Sequence, residues 1–174
     1  SGSDDGQGIT SSFNKPKSVT LDSSRNIYVA DYNNHLIRKI DPSGNVTTIA
    51  GQAGVSGSDD GQGTFAKFYR PSDIAVDSYN NVYVADRGNH LIRKIDPSGT
   101  VTTLAGQVGV SGSADGQGTA ASFYYPQGIA VDSLGNVYVA DFDNHLIRKI
   151  DPSGTVTTLA GQAGVSGSAD GQGT

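Results

Sequence analysis

The sequence predicts an all-β fold, a β-propeller with three four-stranded antiparallel blades in each chain. Two observations carry this prediction. The octapeptide SGSDDGQG at Ser1 returns at Ser56, and SGSADGQG follows at Ser111 and Ser166, so the chain repeats with a constant period of 55 residues. Each repeat holds four short β-branched segments separated by turn residues, and none has a sustained helical periodicity. Four strands per tandem repeat are typical of propeller blades.

Three full units follow from this period, residues 1–55, 56–110 and 111–165, and residues 166–174 begin a fourth. Units two and three differ at 11 of 55 positions. Such similarity suggests recent duplication or deliberate engineering, and the sequence leaves both open.

The elements of unit two illustrate the prediction for all three. Its four strands are predicted as DIAVD (73–77), NVYVAD (81–86), HLIRKID (90–96) and TVTTLAG (100–106). Between the last two, DPSG places Pro at the second turn position and Gly at the fourth, which favours a type I turn. The second strand is apolar on both faces, as expected for a sheet packed between two neighbouring blades. A long glycine-rich stretch then leads to the next unit.

Composition excludes several classes of function. The chain has no Cys, which excludes disulfides and thiolate metal sites. Its net charge of −5 and pI of about 4.9 argue against a nucleic-acid partner, because such binders carry a basic stripe. No window of about 18 apolar residues predicts a membrane span. The opening SGSDDGQG is neither basic nor apolar, so no secretory leader is expected either.

The phrases GIAVDSLGNVYVADFDNHLIRKI and VTTLAG closely resemble the NHL-repeat family, which is named for Asn-His-Leu. The resemblance covers nearly the whole chain, three times over, and implies a β-propeller, commonly with six blades. Three blades cannot close a ring around a channel. The expected partner is therefore a second copy of the chain, in a homodimer that completes a six-bladed ring.

The repeated Asn-His pair raises the question of a metal site. Histidines at one equivalent position of three radiating blades lie too far apart to meet at one zinc ion. We therefore predict a structural role, in which each pair ties the connection between the second and third strands, and no metal or cofactor is expected. The residues are Asn34, His35, Asn89, His90, Asn144 and His145.

Two further sets of charged residues need partners. Arg38, Arg93 and Arg148 lie within the third strand, where an unpaired guanidinium would be costly if buried. We expect each to pair with a carboxylate, such as the Asp that ends strand one or two. The acidic loop around Asp59 and Asp60 bears some similarity to a calcium loop, but its spacing fits poorly. Calcium binding in this loop is an alternative, and a turn is the favoured interpretation.

Positions that differ between units are candidates for binding, because functional sites break the symmetry of a repeat. They fall before strand one and between strands two and three, which should lie at the same end of the blade. Aromatic and arginine side chains there are typical of interface hot spots; drift on a solvated surface is the alternative. The candidate ligand-binding residues are Lys15, Tyr32, Arg70, Arg87, Tyr125 and Phe142.

No nucleophile–base arrangement, phosphate-binding glycine loop or pair of catalytic carboxylates stands out in the sequence. We therefore expect a protein that is not an enzyme. The favoured function is a self-assembling propeller scaffold, either engineered or a half-propeller fragment. The alternative is a natural recognition module that binds protein, peptide or glycan at the loop end.

Overall fold

A computed structural model describes residues 2–171, which form three antiparallel sheets and no α-helix within that range. The strands of the first sheet are β1 (Gly6–Gln7), β2 (Pro16–Leu21), β3 (Ile27–Asp31), β4 (Leu36–Ile40) and β5 (Asn45–Ala50). Those of the second are β6 (Gly61–Gln62), β7 (Asp73–Val76), β8 (Val82–Asp86), β9 (Leu91–Ile95) and β10 (Thr100–Ala105). Those of the third are β11 (Gly116–Gln117), β12 (Pro126–Val131), β13 (Val137–Asp141), β14 (Leu146–Ile150) and β15 (Thr155–Ala160).

Each sheet has five strands, so the prediction of four strands per blade is wrong by one. The order in the first sheet is β1-β5-β4-β3-β2, and the other two repeat it. The added strand is only two residues long and pairs with the outermost predicted strand, Gly6 opposite Val46. A Gly-Gln dipeptide has neither β-branched residues nor alternation, so the sequence carries no strand pattern there. The three antiparallel sheets are otherwise those expected of a fragment of a β-propeller.

The connections are short and regular. Within residues 2–171, five single-turn 3-10 helices occur at Gly8–Thr10, Gly63–Phe65, Arg87–Asn89, Gly118–Ala120 and Phe142–Asn144. The predicted Asp-Pro-Ser-Gly turn forms, with the N–H of Gly44 donating to the carbonyl of Asp41 at 2.9 Å. Gly44 has a φ of 85°, a left-handed conformation that explains the glycine at this turn position.

The three sheets stack face to face, and the hydrophobic core lies in the two joints between them. Strands β2, β7 and β12 lie side by side at one edge of the stack. At the first joint, Ile37 and Ala50 of the first sheet pack with Phe68 and Ile74 from the second unit. The second joint repeats this packing one unit further along the chain, for example with Phe123. Each joint therefore pairs one face of a blade with the opposite face of the next blade.

Equivalent residues on the two outer faces of the stack are exposed. Ile147 is 45% exposed, whereas its equivalents Ile37 and Ile92, which face the next sheet, are fully buried. Val19 on the other outer face is 66% exposed, whereas its equivalent Ile74 is 3% exposed. The ends of the stack thus present the two halves of a joint, one at each end.

Within residues 2–171, the structure has no helix that is long and apolar enough to cross a membrane.

Candidate functional site

The buried arginine of each third strand is held by two carboxylates. Nη1 of Arg38 donates to Asp31 at 3.2 Å, and Nη2 donates to Asp5 at 2.8 Å. The same guanidinium also donates to the backbone carbonyls of Asp4 and Ser12. Its side chain is fully buried, so these partners offset the cost of removing its charge from water.

This arrangement recurs in the other two blades. Arg93 pairs with Asp86 and Asp60, and Arg148 pairs with Asp141 and Asp115. The predicted pairing with the Asp that ends strand two is confirmed. Sequence reasoning missed the second carboxylate, which comes from the glycine-rich loop. The signal was available, because a fully buried guanidinium needs more acceptors than one carboxylate supplies.

The loop carboxylate also holds the edge of its sheet. Asp60 accepts from the backbone N–H of Thr103 at 3.0 Å and from its hydroxyl at 3.1 Å. Asp5 makes the same two contacts with Thr48. Within residues 2–171, no group of three or more His, Asp or Glu is placed so that it could hold a metal ion. The acidic loops are thus engaged in hydrogen bonds to their own blades.

The asparagine of each Asn-His-Leu triplet closes the loop between strands two and three. Nδ2 of Asn34 donates to Asp31 at 2.7 Å and to the carbonyl of Gly2 at 2.6 Å. Asn89 and Asn144 make the equivalent bonds. The asparagine therefore links the loop both to the buried Asp–Arg pair and to the glycine-rich segment.

The histidine reaches further than the sequence predicts. His35 lies in a left-handed conformation, and its Nδ1 accepts the backbone N–H of Arg70, in the next unit, at 3.1 Å. Nδ1 of His90 accepts the N–H of Tyr125 in the same way at 3.0 Å. The loop tie expected within one blade is thus accompanied by a bond between blades. The equivalent histidine of unit three, His145, is exposed on the outer face.

Nδ1 of these two histidines must be unprotonated to accept a hydrogen bond, so each imidazole is in its neutral form. Burial lowers the pKa of His35, and the nearby Arg70 guanidinium lowers it further. Burial, followed by the positive charge of Arg87, likewise lowers the pKa of His90. The environment of the joint therefore favours the neutral form that the bond between blades requires.

The variable positions meet across the joints as pairs of a cation and an aromatic ring. Arg70 of unit two lies over the ring of Tyr32 of unit one, at 6.0 Å from the centroid. At the next joint the order is inverted, because Arg87 of unit two lies 4.4 Å from the ring centroid of Tyr125 of unit three. Both distances lie within the range of cation–π attraction. Lys17 also approaches the ring of Tyr32, at 5.0 Å.

Two of the six candidate residues remain on the outer faces. Phe142 occupies the position equivalent to Tyr32 and Arg87, and it is 54% exposed. Lys15, equivalent to Arg70 and Tyr125, is also exposed. The structure thus brings four of the candidates together in two pairs and places the other two at opposite ends of the stack. Sequence reasoning placed all six at one end of the blades but did not identify the pairing between units.

A cleft with a volume of about 410 Å³ lies at the opposite rim, between the first and second sheets. Its lining includes Asp22, Tyr28 and Asp96. Asp22 accepts from the hydroxyl of Tyr28 and from the backbone N–H groups of Ser24 and Asn26. The carboxylates of this cleft therefore serve the turns that they begin.

Comparison with known proteins agrees with this architecture. The NHL repeat model matches residues 13–40, 68–95 and 123–150. The chain is 33% identical over 152 residues to the Arabidopsis thaliana protein SUPPRESSOR OF QUENCHING 1, chloroplastic, covering 82% of this chain and 14% of that protein. It is 38% identical over 95 residues to NHL repeat-containing protein 2 of Bos taurus, covering 53% of this chain and 13% of that protein.

A solved structure titled as an auxiliary nutrient binding protein from Bacteroides thetaiotaomicron is also similar. It superimposes with a TM-score of 0.68 at 28% identity, covering 80% of this chain and 36% of that chain. The chain thus spans only a small part of the curated relatives and about a third of this structure. The chain contains three NHL repeats, and it resembles the NHL-repeat β-propeller proteins in both sequence and fold.

Proposed function

We propose that this chain is a non-catalytic scaffold that self-associates, with two copies closing into a six-bladed propeller ring. One observation carries the proposal. The two outer faces of the three-blade stack bear residues equivalent to those that pack against each other in both internal joints, and here Ile147 and Val19 are exposed. A second copy of the chain is therefore the partner whose surface fits each face.

The apolar residues of the two faces are complementary by repetition. The face of the third blade offers Ile147 and Ala140, whose equivalents Ile37 and Ala30 are fully buried in the first joint. The face of the first blade offers Phe13, whose equivalent Phe68 is fully buried in that joint. Pairing the outer faces would thus reproduce a joint that the chain already forms twice.

The polar groups at the two ends are complementary as well. His145 can accept the backbone N–H of Lys15 of the next copy, as His35 accepts that of Arg70. Phe142 can receive the ammonium of the same Lys15, as Tyr32 receives Arg70. Each internal joint pairs a cation of one unit with an aromatic ring of the neighbouring unit, and this joint would have such a pair too.

Two copies make two such joints, which is what a closed ring requires. The four longer strands of each sheet, about 4.8 Å apart and about 17 Å long, give each face an area of about 300 Å². Four faces then remove about 1,200 Å² from water, at the lower end of the range for stable interfaces. Head-to-tail pairing that closes after two copies leaves no blade face exposed.

A non-catalytic function is supported by what the polar groups already do. Carboxylates of the loops and turns such as Asp5 and Asp22 accept hydrogen bonds from backbone amides, arginines or hydroxyls, and the histidines of the joints accept backbone N–H groups. These side chains contribute to the blades and their joints. The high similarity of the units suits a scaffold assembled from one duplicated or engineered blade.

A recognition module for protein, peptide or glycan is the second candidate. It is favoured by one observation, the exposed cations Lys17 and Arg70 above the ring of Tyr32 at the loop end. One similar structure bears the name of a nutrient-binding protein. In the proposed ring this surface stays accessible, so binding there is compatible with self-association.

A doubled chain tests the proposal. Residues 1–165 are fused to a second copy of residues 1–165, which continues the 55-residue period without a break. We expect a single closed particle that has no tendency to dimerise and shows six blades by electron microscopy. Open chains of doubled molecules, or elongated particles with free ends, would contradict the proposal.

A further inference from the structure

The segment that follows the third blade repeats the segment that begins the chain. Residues 166–171 read SGSADG, and residues 1–6 read SGSDDG. We propose that residues 167–171 of one copy lie on the first blade of the partner copy, in place of the partner's own N-terminal segment, and so form a clasp across the joint. This inference rests on the proposed ring.

The slot for the clasp is defined by contacts in the first blade. Asn34 donates to the carbonyl of Gly2. Arg38 donates to the carbonyl of Asp4 at 2.9 Å and to the carboxylate of Asp5 at 2.8 Å. Thr48 donates to Asp5 through both its backbone N–H and its hydroxyl. The slot thus recognises two carbonyls and one carboxylate.

The clasp segment offers the same groups. Gly167 stands for Gly2, and Asp170 stands for Asp5. The single difference is Ala169 in place of Asp4, where the slot contacts a backbone carbonyl. The third blade shows that alanine serves there, because Arg148 donates to the carbonyl of Ala114 at 2.8 Å. The clasp therefore loses only the exposed contact that Asp4 makes with the hydroxyl of Ser12.

The chain leaves the third blade in the conformation that leads to such a slot. Gln162 bridges Val165, as Gln52 bridges Val55 after the first blade. After the first blade, this course delivers Asp60 to Arg93 on the second blade. Asp170 is exposed and has no hydrogen bond or ion pair within residues 2–171. Each joint of the ring thus has two loop carboxylates, Asp5 and the partner's Asp170, available for the one Arg38 guanidinium, which also pairs with Asp31.

Removing the carboxylates one at a time tests the clasp. In the intact ring, Asp5→Ala should leave the thermal midpoint near that of the unchanged protein, because Asp170 of the partner takes the slot. Asp170→Ala alone should also change little. The double variant should lose as much as Asp60→Ala, the matched internal control, because Asp60 is the loop carboxylate within residues 2–171 that forms an ion pair with Arg93. The mass of each variant is measured in parallel.

The outcomes separate the clasp from the ring. A dimer in which Asp5→Ala alone loses as much as Asp60→Ala, with no further loss from Asp170→Ala, overturns the clasp and leaves the ring standing. The same loss in a protein of 17.9 kDa shows that the ring itself does not form.

A cysteine pair gives a second readout that does not depend on stability. The chain has no Cys, so Thr48→Cys with Asp170→Cys introduces the only two thiols. Oxidation should then yield a covalent dimer on a non-reducing gel. The control, Thr103→Cys with Asp60→Cys, should form an internal disulfide. If the control closes and the test pair stays monomeric, the clasp is wrong.

Discussion

The exposed isoleucine on the outer face of the third blade offers a sharp test of self-association. Ile147→Asp should abolish the dimer and leave the three-blade chain folded. Full burial of an isoleucine is worth about 1.5–3 kcal/mol, so hiding the exposed 45% contributes about 1 kcal/mol at each joint. Burying an unpaired carboxylate adds a cost of several kcal/mol per joint. Two joints per ring double both effects.

The assay is light scattering or native mass spectrometry across a range of concentrations, together with circular dichroism to follow folding. Ile92→Asp is the matched control, because the equivalent Ile92 is fully buried within the chain. That variant should fail to fold. Leu134→Asp, in a turn where the side chain is 77% exposed, should leave both the fold and the dimer intact.

One result would refute this reasoning. If Ile147→Asp still dimerises with unchanged affinity, the face of the third blade does not form the joint. A dimer would then have to use another surface.

Three further predictions concern the joints and turns. Phe142→Lys should weaken the dimer about 5- to 30-fold, because two exposed cation–π contacts of about 0.5–1 kcal/mol each are lost. Adding Lys15→Phe should restore the affinity of the dimer. Equal affinities for the single and double variants would contradict the pairing. The pKa values of His35 and His90 are lowered in the folded chain, so stability should fall as the pH drops below about 6.5, where the unfolded chain takes up protons first. Thermal melts should show a smaller fall when both are replaced by Asn, which tolerates the left-handed backbone; an equal fall would rule out these groups. Hydrogen bonds from Ser98 and Thr100 lower the pKa of Asp96, so its contribution to stability should be present above about pH 4 and be lost in more acidic solution. Thermal melts of Asp96→Asn should show a smaller loss of stability in acid. An unchanged pH profile would contradict this role of Asp96.

The repeat made most of the fold predictable. A constant period fixes the number of units, and alternating β-branched residues place four of the five strands in each within one or two residues. The pairing of Arg38 with Asp31 was predictable because a mid-strand arginine that becomes buried must find a carboxylate. These inferences depend on local pattern and on charge balance, which a single sequence displays.

The contacts between units were less accessible from sequence. The fifth strand rests on Gly6 and Gln7, whose types carry no strand preference. The bond from His35 to Arg70 uses a backbone N–H, which every residue except proline offers, so no side-chain pattern reveals it. In the sequence, the cation–aromatic pairs at the joints are visible as positions that vary between units. Their proximity in the fold is what distinguishes matched partners from random sequence drift.

The solution mass of the unmodified chain tests self-association most directly. Sedimentation equilibrium at several concentrations should give about 36 kDa, twice the 17.9 kDa of one chain. The mass should not increase further at high concentration, because a closed ring leaves no free face. A mass that stays at 17.9 kDa, or that grows with concentration through three, four and more copies, would contradict the six-bladed ring.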